Sequence, residues 1–469
     1  MKVCLICEGS YPYVAGGVSG WVQMLVKEYG DIDFVIWSIA TNRKEMHEYK
    51  YELPSNIVEV RTLYLGENNF DPDKTGIRSK KENRDIFRML IKGNPEETDW
   101  NRIFEFIKKN KKRLVELLMG RDFYEVCVEY YKEKYDRIVF SRFLWTMRSM
   151  YFPLMSALNG DLVQADIYHA VSTGYAGVLG SLTAYIKDKP FLLTEHGIYT
   201  REREEEIIKS TWVEGDFKEI WIQFFHSLSQ IAYVRAEQVF TLFEQNKKLQ
   251  VDLNCPADKI TIIPNGVDVE RLQSLTMEKQ KTPYFTIGAV VRIVPIKDIK
   301  TMLYAFELAK ERIPHAQLII MGPYEEDPEY YVECRSIVDS MQIKDVIFTG
   351  RVNVKEYLPR LDVMLLTSIS EGQSLAVLEG MAAMIPQICT NVGDCKGLLL
   401  GENEEIPLGV AGIIVPVMDP VAISRALCYL EKNPEIRKQM GESALKRVKK
   451  YYQKRYFLSA YHDIYYEYL

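Results

Sequence analysis

The feature that most constrains this chain is a recurrence of short apolar runs, each closed by a turn and followed by an amphipathic stretch. Residues 3–6, 34–39, 58–63, 167–170, 191–194, 239–242 and 260–263 read as buried strands. The pattern restarts at 285–291 and continues at 317–321, 346–349, 363–366, 387–390 and 413–415. Strands apolar on both faces that alternate with helices belong to parallel sheets covered by helices on either side. A length of 469 residues exceeds one ordinary core. The expected architecture is therefore α/β, two Rossmann-like doubly wound domains facing across a cleft. The polar stretch 270–283 is the expected linker, which places a first domain at 1–272 and a second at 283–450.

Two segments depart from the alternation. Residues 69–137 carry charged, amphipathic helices where a simple crossover would be short, and read as a helical insertion in the first domain. A lid, an acceptor-recognition element and a solvated excursion without catalytic role are all consistent with that pattern. The tyrosine-rich stretch 451–469 reads as a final helix packing back on the first domain.

Composition narrows the class. A net charge of −6, with no long basic tract, argues against a nucleic-acid partner. The opening residues are interrupted by Glu8 too early for a signal peptide and read as a first strand, and no run of eighteen apolar residues suggests a membrane span. The eight cysteines lie scattered in apolar stretches, as buried reduced thiols of a cytoplasmic protein do. Cys4 and Cys7 have a C-x-x-C spacing but sit within a strand and lack a second pair. With six histidines and no H-x-x-x-H pair, no dedicated metal site is expected.

The chemistry-bearing residues gather where strands hand over to loops. Glu371-Gly-Gln-Ser-Leu-Ala-Val-Leu-Glu379 follows the apolar run 363–366: Glu371 falls on a strand-to-helix turn, Ser374 at a helix start, and Glu379 about two turns further on. Free backbone N–H groups of the helix start favour an anion such as a diphosphate. A carboxylate for sugar hydroxyls, an anion site and a second carboxylate for a ribose together describe a nucleotide-sugar site. Arg292 closes another strand and Lys297 follows five residues later, two cations suited to neutralising a leaving diphosphate. Gly16 and Gly17 permit positive φ and close backbone approach to a phosphate. His169 and His196 each end a strand; His169 reads foremost as a structural histidine, His196 as the better functional candidate. Pro264-Asn-Gly-Val-Asp268 reads as a hinge turn and 201–206, Arg-Glu-Arg-Glu-Glu-Glu, as a solvated helix start.

Taken in this order, the Gly16-Gly17 loop, His196, Pro264-Asn-Gly-Val-Asp268, Arg292 with Lys297, and the Glu371/Glu379 pair resemble the GT-B fold glycosyltransferases of family GT4. More narrowly, Cys7-Glu-Gly-Ser-Tyr-Pro-Tyr13, Gly16-Gly-Val-Ser19, His169-Ala-Val-Ser-Thr-Gly-Tyr-Ala-Gly177 and Leu193-Thr-Glu-His-Gly-Ile-Tyr-Thr-Arg-Glu-Arg203 are similar to the cytosolic transferases of bacterial Pel exopolysaccharide synthesis. The resemblance implies a retaining, metal-independent enzyme with a UDP-sugar donor, no cofactor and a carbohydrate acceptor. It also implies a partner in an inner-membrane polysaccharide synthase complex, with the protein peripheral to the inner face of the cell membrane. Arg292 and Lys297 would bind the diphosphate, helped by Gly16, Gly17 and the backbone of Gly372, Gln373, Ser374 and Leu375. Glu379 would accept the ribose hydroxyls, and Glu371 would hold the donor sugar. His196, with His169 beside it, would face the sugar or its leaving phosphate from the other domain. Gln373 and Ser374 depart from residues common in the family, which bears on the sugar chosen. Two other readings stay open: a nucleotide-sugar 2-epimerase of the same fold, and a non-catalytic nucleotide-sugar-binding subunit of a membrane synthase.

Overall fold

The computed structural model describes residues 1–41, 43, 48–66, 79–92, 97–276, 280, 282–401 and 407–469. The chain divides into two units, Met1–Ile262 together with His462–Leu469, and Ile263–Tyr461.

The first unit is built on a seven-stranded parallel sheet of β1 (Lys2–Glu8), β2 (Asp33–Ala40), β3 (Ile57–Tyr64), β4 (Ile167–Ala170), β5 (Phe191–Glu195), β6 (Gln238–Thr241) and β7 (Ile260–Ile262), in the order β3-β2-β1-β4-β5-β6-β7. The second carries six parallel strands, β8 (Phe285–Val290), β9 (Ala316–Met321), β10 (Val346–Gly350), β11 (Val363–Leu366), β12 (Gln387–Thr390) and β13 (Gly412–Val415), in the order β10-β9-β8-β11-β12-β13. These are two Rossmann-like parallel sheets. In each, the strand order reverses once, between β1 and β4 and between β8 and β11. Such a reversal opens a crevice at the carboxyl ends of the strands, where open α/β folds take ligands.

The expected strands all form, with ends shifted by no more than one or two residues. Helix Val269–Thr276 occupies the first half of the expected linker, burying Val269 and Leu272 in the second unit's core, and the division falls at 262/263. Residues 277–279 and 281 of that stretch lie outside the described residues. Pro264-Asn-Gly-Val-Asp268, the expected hinge turn, follows that division directly. Val267 bridges to Gln453, and a Cβ on Gly266 would lie 2.7 Å from the Gln453 carbonyl oxygen, so the turn is packed tightly inside the second unit.

The helical excursion between β3 and β4 runs through helices Lys81–Lys92, Glu97–Asn110, Leu114–Met119, Arg121–Lys134 and Phe140–Asn159. Residues 69–78 and 93–96 of the predicted insertion lie outside the described residues. The rest is not a solvated excursion: Trp100, Phe104, Leu118 and Phe123 are buried in the same core as Leu179 and Leu182 behind the sheet. Asp122 ties the start of the run together, accepting from Ser79 Oγ at 2.5 Å, Lys80 N at 3.0 Å and Asn83 Nδ2 at 2.7 Å. All eight cysteines are buried and unbridged. Among the described residues no helix is long and apolar enough to cross a membrane.

Candidate active site

In the second unit, the loops after β8 and β11 flank the strand-order reversal. Behind β8 the chain passes Arg292 and enters the short turn Pro295–Lys297, and Asp298 then caps helix Ile299–Lys310 by accepting from Thr301 N at 3.3 Å. Behind β11, Thr367 donates to the carbonyl oxygens of Lys297 and Asp298 at 2.9 and 3.1 Å, stitching the two loops together. Lys297 Nζ forms an ion pair with Glu371 Oε1, and Ser368 Oγ donates to the same oxygen at 2.6 Å. Both side chains are largely buried, 16% and 11% exposed, so the pair is shielded from solvent screening.

Ser374 caps helix Leu375–Ala382 by accepting from Val377 N at 3.5 Å, a long bond. Glu379 lies on that helix with its carboxyl raised by burial, Lys355 pulling the other way, and no hydrogen-bond partner among the described residues. Gly393 closes the loop from the far side: its φ of +52° and a Cβ position 2.2 Å from the Gly372 carbonyl oxygen admit only glycine.

Arg292 points elsewhere in this state. Its guanidinium holds both oxygens of Glu326, at 2.5 and 2.7 Å, and is partly exposed. Gln373 is engaged at both ends of its amide: Oε1 accepts from Asn265 N at 2.7 Å and Nε2 donates to Asp394 Oδ2 at 2.7 Å. Its side chain braces the loop, which leaves its backbone N–H as the group that could meet a ligand.

In the first unit two expectations change. Gly16 has φ 174°, ordinary extended backbone, and Gly17 begins helix Gly17–Glu28, so neither uses a left-handed conformation. Both have open space where a Cβ would stand, which leaves the helix start accessible. His169 is fully buried and both ring nitrogens are occupied, Nδ1 by Tyr465 OH at 2.6 Å and Nε2 by Thr194 Oγ1 at 2.8 Å. It is a structural histidine and cannot reach a substrate.

His196 follows β5 on a loop anchored by Glu195. That buried carboxylate accepts from Tyr233 OH at 2.6 Å, Gln250 Nε2 at 2.9 Å and Tyr199 N at 3.0 Å. Trp21 meets the His196 ring edge-on at 4.8 Å, and His196 Nε2 has no hydrogen-bond partner among the described residues. Sequence reasoning missed two residues beside it, Glu8 at the end of β1 and Glu202 in helix Tyr199–Lys209, both with carboxyls raised by burial. Their signal was a carboxylate ending an apolar strand and one facing inward from a charged run.

Burial lowers the His169 imidazole to about 3 and that of His196 to about 4. In the unfolded chain both protonate near about 6.5. Stability from keeping them neutral is complete above that value and is lost as pH falls toward 4, because only the unfolded state takes up the protons. The slope is about 1.4 kcal/mol per pH unit for each histidine. Glu8 and Glu195, raised by burial, work in the opposite sense as pH falls through their folded values. The readout is therefore a difference. The gap in melting temperature between the protein and its His196→Asn variant should shrink steadily from pH 7 to pH 5; a gap independent of pH would mean that His196 is not held neutral.

Residues 1–258, more than half of the chain, match the family model "Domain of unknown function (DUF3492)", and residues 276–447 match "Glycosyl transferases group 1". The chain belongs to the DUF3492 family, and its second half carries the group 1 glycosyl transferase match. The chain is 31% identical over 176 residues to N-acetyl-alpha-D-glucosaminyl L-malate synthase of Bacillus anthracis, covering 37% of the chain and 43% of that protein. It is 27% identical over 229 residues to trehalose synthase of Thermococcus litoralis, covering 44% and 52%. The chain thus spans about half the length of these two curated relatives. It is also similar, at 25% identity over 305 residues, 61% of the chain and 73% of the relative, to an Escherichia coli UDP-Gal:alpha-D-GlcNAc-diphosphoundecaprenol alpha-1,3-galactosyltransferase. Among solved structures, Anabaena HepE in complex with UDP and glucose superposes with a TM-score of 0.61 at 13% identity over 99% of both chains. Sucrose-phosphate synthase of Thermosynechococcus elongatus gives 0.59 at 16% identity over 99% and 98%. The fold is GT-B.

Proposed function

We propose that this protein is a retaining, metal-independent glycosyltransferase that moves a sugar from a UDP-sugar to a carbohydrate acceptor. The observation that carries the reading is the second unit's arrangement at β8 and β11: a shielded Lys297–Glu371 pair beside a helix start, with the half-buried carboxylate of Glu379 further along that helix. A nucleoside diphosphate placed there meets fixed positive charge at Lys297, oriented N–H groups at Gly372 to Leu375, and a carboxylate for its ribose at Glu379. Arg292 joins the diphosphate by exchanging Glu326 for phosphate oxygens. Glu371, fixed by Lys297 and Ser368, holds the donor sugar hydroxyls. Transfer breaks the bond between the anomeric carbon and the β-phosphate oxygen and forms one from that carbon to an acceptor hydroxyl on the same face. The acceptor proton passes to the departing phosphate. With charge supplied by side chains, activity should persist in excess EDTA; complete, reversible loss on chelation would overturn metal independence.

The quoted stretches around Cys7, Gly16, His169 and Leu193 support a narrower reading, a PelF-type enzyme extending a Pel exopolysaccharide within a membrane synthase complex. The donor assignment has a direct test. Glu379→Ala should weaken free UDP by about 1.5–3 kcal/mol, the worth of a charged hydrogen bond. Glu371→Ala should leave UDP affinity near its original value while transfer falls, because its partner is the sugar. Calorimetric titration of both variants with UDP, beside a turnover assay, reads the difference. Equal losses of UDP affinity would reject the division of roles.

A further inference from the structure

Helix Leu375–Ala382 offers its start to the diphosphate in the reading above, yet its own cap is poor. Ser374 Oγ accepts from Val377 N only at 3.5 Å, at the outer edge of a hydrogen bond. The loop in front of the helix is held from outside. Asn265 N donates to Gln373 Oε1 at 2.7 Å, and Asn265 Nδ2 donates to the Gln373 carbonyl oxygen at 3.1 Å. On the other side, Gln373 Nε2 donates to Asp394 Oδ2 at 2.7 Å, and Asp394 N donates to the Gly372 carbonyl oxygen at 3.1 Å. Gln373 and Asn265 are only 6% and 5% exposed, so water competes little for these bonds. Thr390 Oγ1 adds a tie further back, to the Ser368 carbonyl oxygen at 2.7 Å.

These bonds fix directions as well as positions. A trans peptide is planar, and its C=O and N–H point opposite ways. The one cis bond among the described residues lies at Tyr11-Pro12, so both peptides here are trans. The Gly372 carbonyl, held by Asp394 N, therefore sets the direction of the Gln373 N–H. The Gln373 carbonyl, held by Asn265 Nδ2, sets that of the Ser374 N–H. Two consecutive peptide planes are locked, each with its N–H turned away from the group that holds its carbonyl. The Gln373 side chain joins the two locks, because an amide accepts at one end and donates at the other. A carboxylate in its place would face Asp394 with like charge, and an apolar chain would lose both bonds. N–H dipoles fixed in advance need not reorient as charge develops on a leaving diphosphate, which is where such groups act most strongly.

We infer that Gln373 is a positioning residue for donor binding: braced by Asn265 and Asp394, it holds the N–H groups of Gln373 and Ser374 in place for the diphosphate. The inference rests on the donor-site reading above and assigns that site its support.

The test uses the full chain at pH 8, to keep neighbouring carboxyls ionised. Gln373→Glu keeps an acceptor for Asn265 N but sets a second carboxylate against Asp394. By calorimetry it should bind UDP at least about tenfold more weakly, with turnover on a UDP-sugar falling in step. Adding Asp394→Asn supplies a donor opposite the new carboxylate, so the bond runs the other way. The double variant should recover UDP affinity to within about threefold of the parent protein. Thermal unfolding of the same preparations separates position from stability, since the titrations are run well below melting. Should Gln373→Glu not fold, Gln373→Leu, uncharged and of similar size, should show the same loss of UDP affinity. Folded Gln373 variants that bind UDP like the parent, or a double variant that regains melting temperature without UDP affinity, would overturn the inference and leave the donor reading standing. A parent protein that binds no UDP would sink the donor reading, and this inference with it.

Discussion

Lys297→Ala should lower turnover with a UDP-sugar by about 10²–10³-fold, the usual consequence of losing a preorganised charge at the leaving group. The geometry adds a second effect. Lys297 is ion-paired to Glu371 in a shielded position, so removing it strands a carboxylate whose other recorded donor is Ser368 Oγ. Breaking one side of such a pair costs about 3–5 kcal/mol of stability. A double variant separates the two. Lys297→Ala with Glu371→Gln removes both charges and should recover much of the lost melting temperature while turnover stays low. Steady-state kinetics and thermal unfolding on the same preparations give the answer. Recovery of turnover along with stability would mean that Lys297 only supports Glu371 and does not act on the diphosphate.

Deleting His462–Leu469 should destabilise the first unit by about 3–5 kcal/mol, the range for losing a fully buried aromatic side chain. Tyr465 is that side chain. Its hydroxyl donates to or accepts from His169 Nδ1 at 2.6 Å, and its ring meets Tyr29 and Phe34 edge-on at 6.3 and 6.5 Å. Tyr466 and His462 hold Asp31 at 2.7 and 3.1 Å from the same short segment. Tyr465→Phe isolates the hydrogen bond and should cost about 1–3 kcal/mol, since His169 Nδ1 then loses its Tyr465 partner in the core. Differential scanning calorimetry of the deletion and the point variant checks both values. A deletion that melts like the full chain would mean that the first unit does not depend on these eight residues.

Glu202 and Lys297 show how differently two charges can be read from a sequence. Lys297 stands five residues after a strand-ending arginine, and its setting is visible because the strand, the turn and the helix around it are all local. Glu202 sits in Arg-Glu-Arg-Glu-Glu-Glu, which has the composition of a solvated face. Only the packing of helix Tyr199–Lys209 against Gly197 and the loop after β1 turns one carboxylate of that run inward. Gln373 is the converse case. It lies in the midst of an expected binding loop, yet its amide is engaged by Asn265, 108 residues away, and by Asp394.

The sequence alone determined the parallel α/β architecture, the thirteen strands of the described residues and the local geometry of the Glu371–Glu379 stretch. Those follow from apolar runs, turn residues and helix periodicity, which act over a few neighbouring residues. The tertiary structure alone decided which charges are buried and what they meet. It placed Glu371 on Lys297, Arg292 on Glu326, and His169 between Thr194 and Tyr465, 296 residues further along the chain. Such pairings depend on desolvation and on contacts between distant segments, and no spacing in the sequence encodes them.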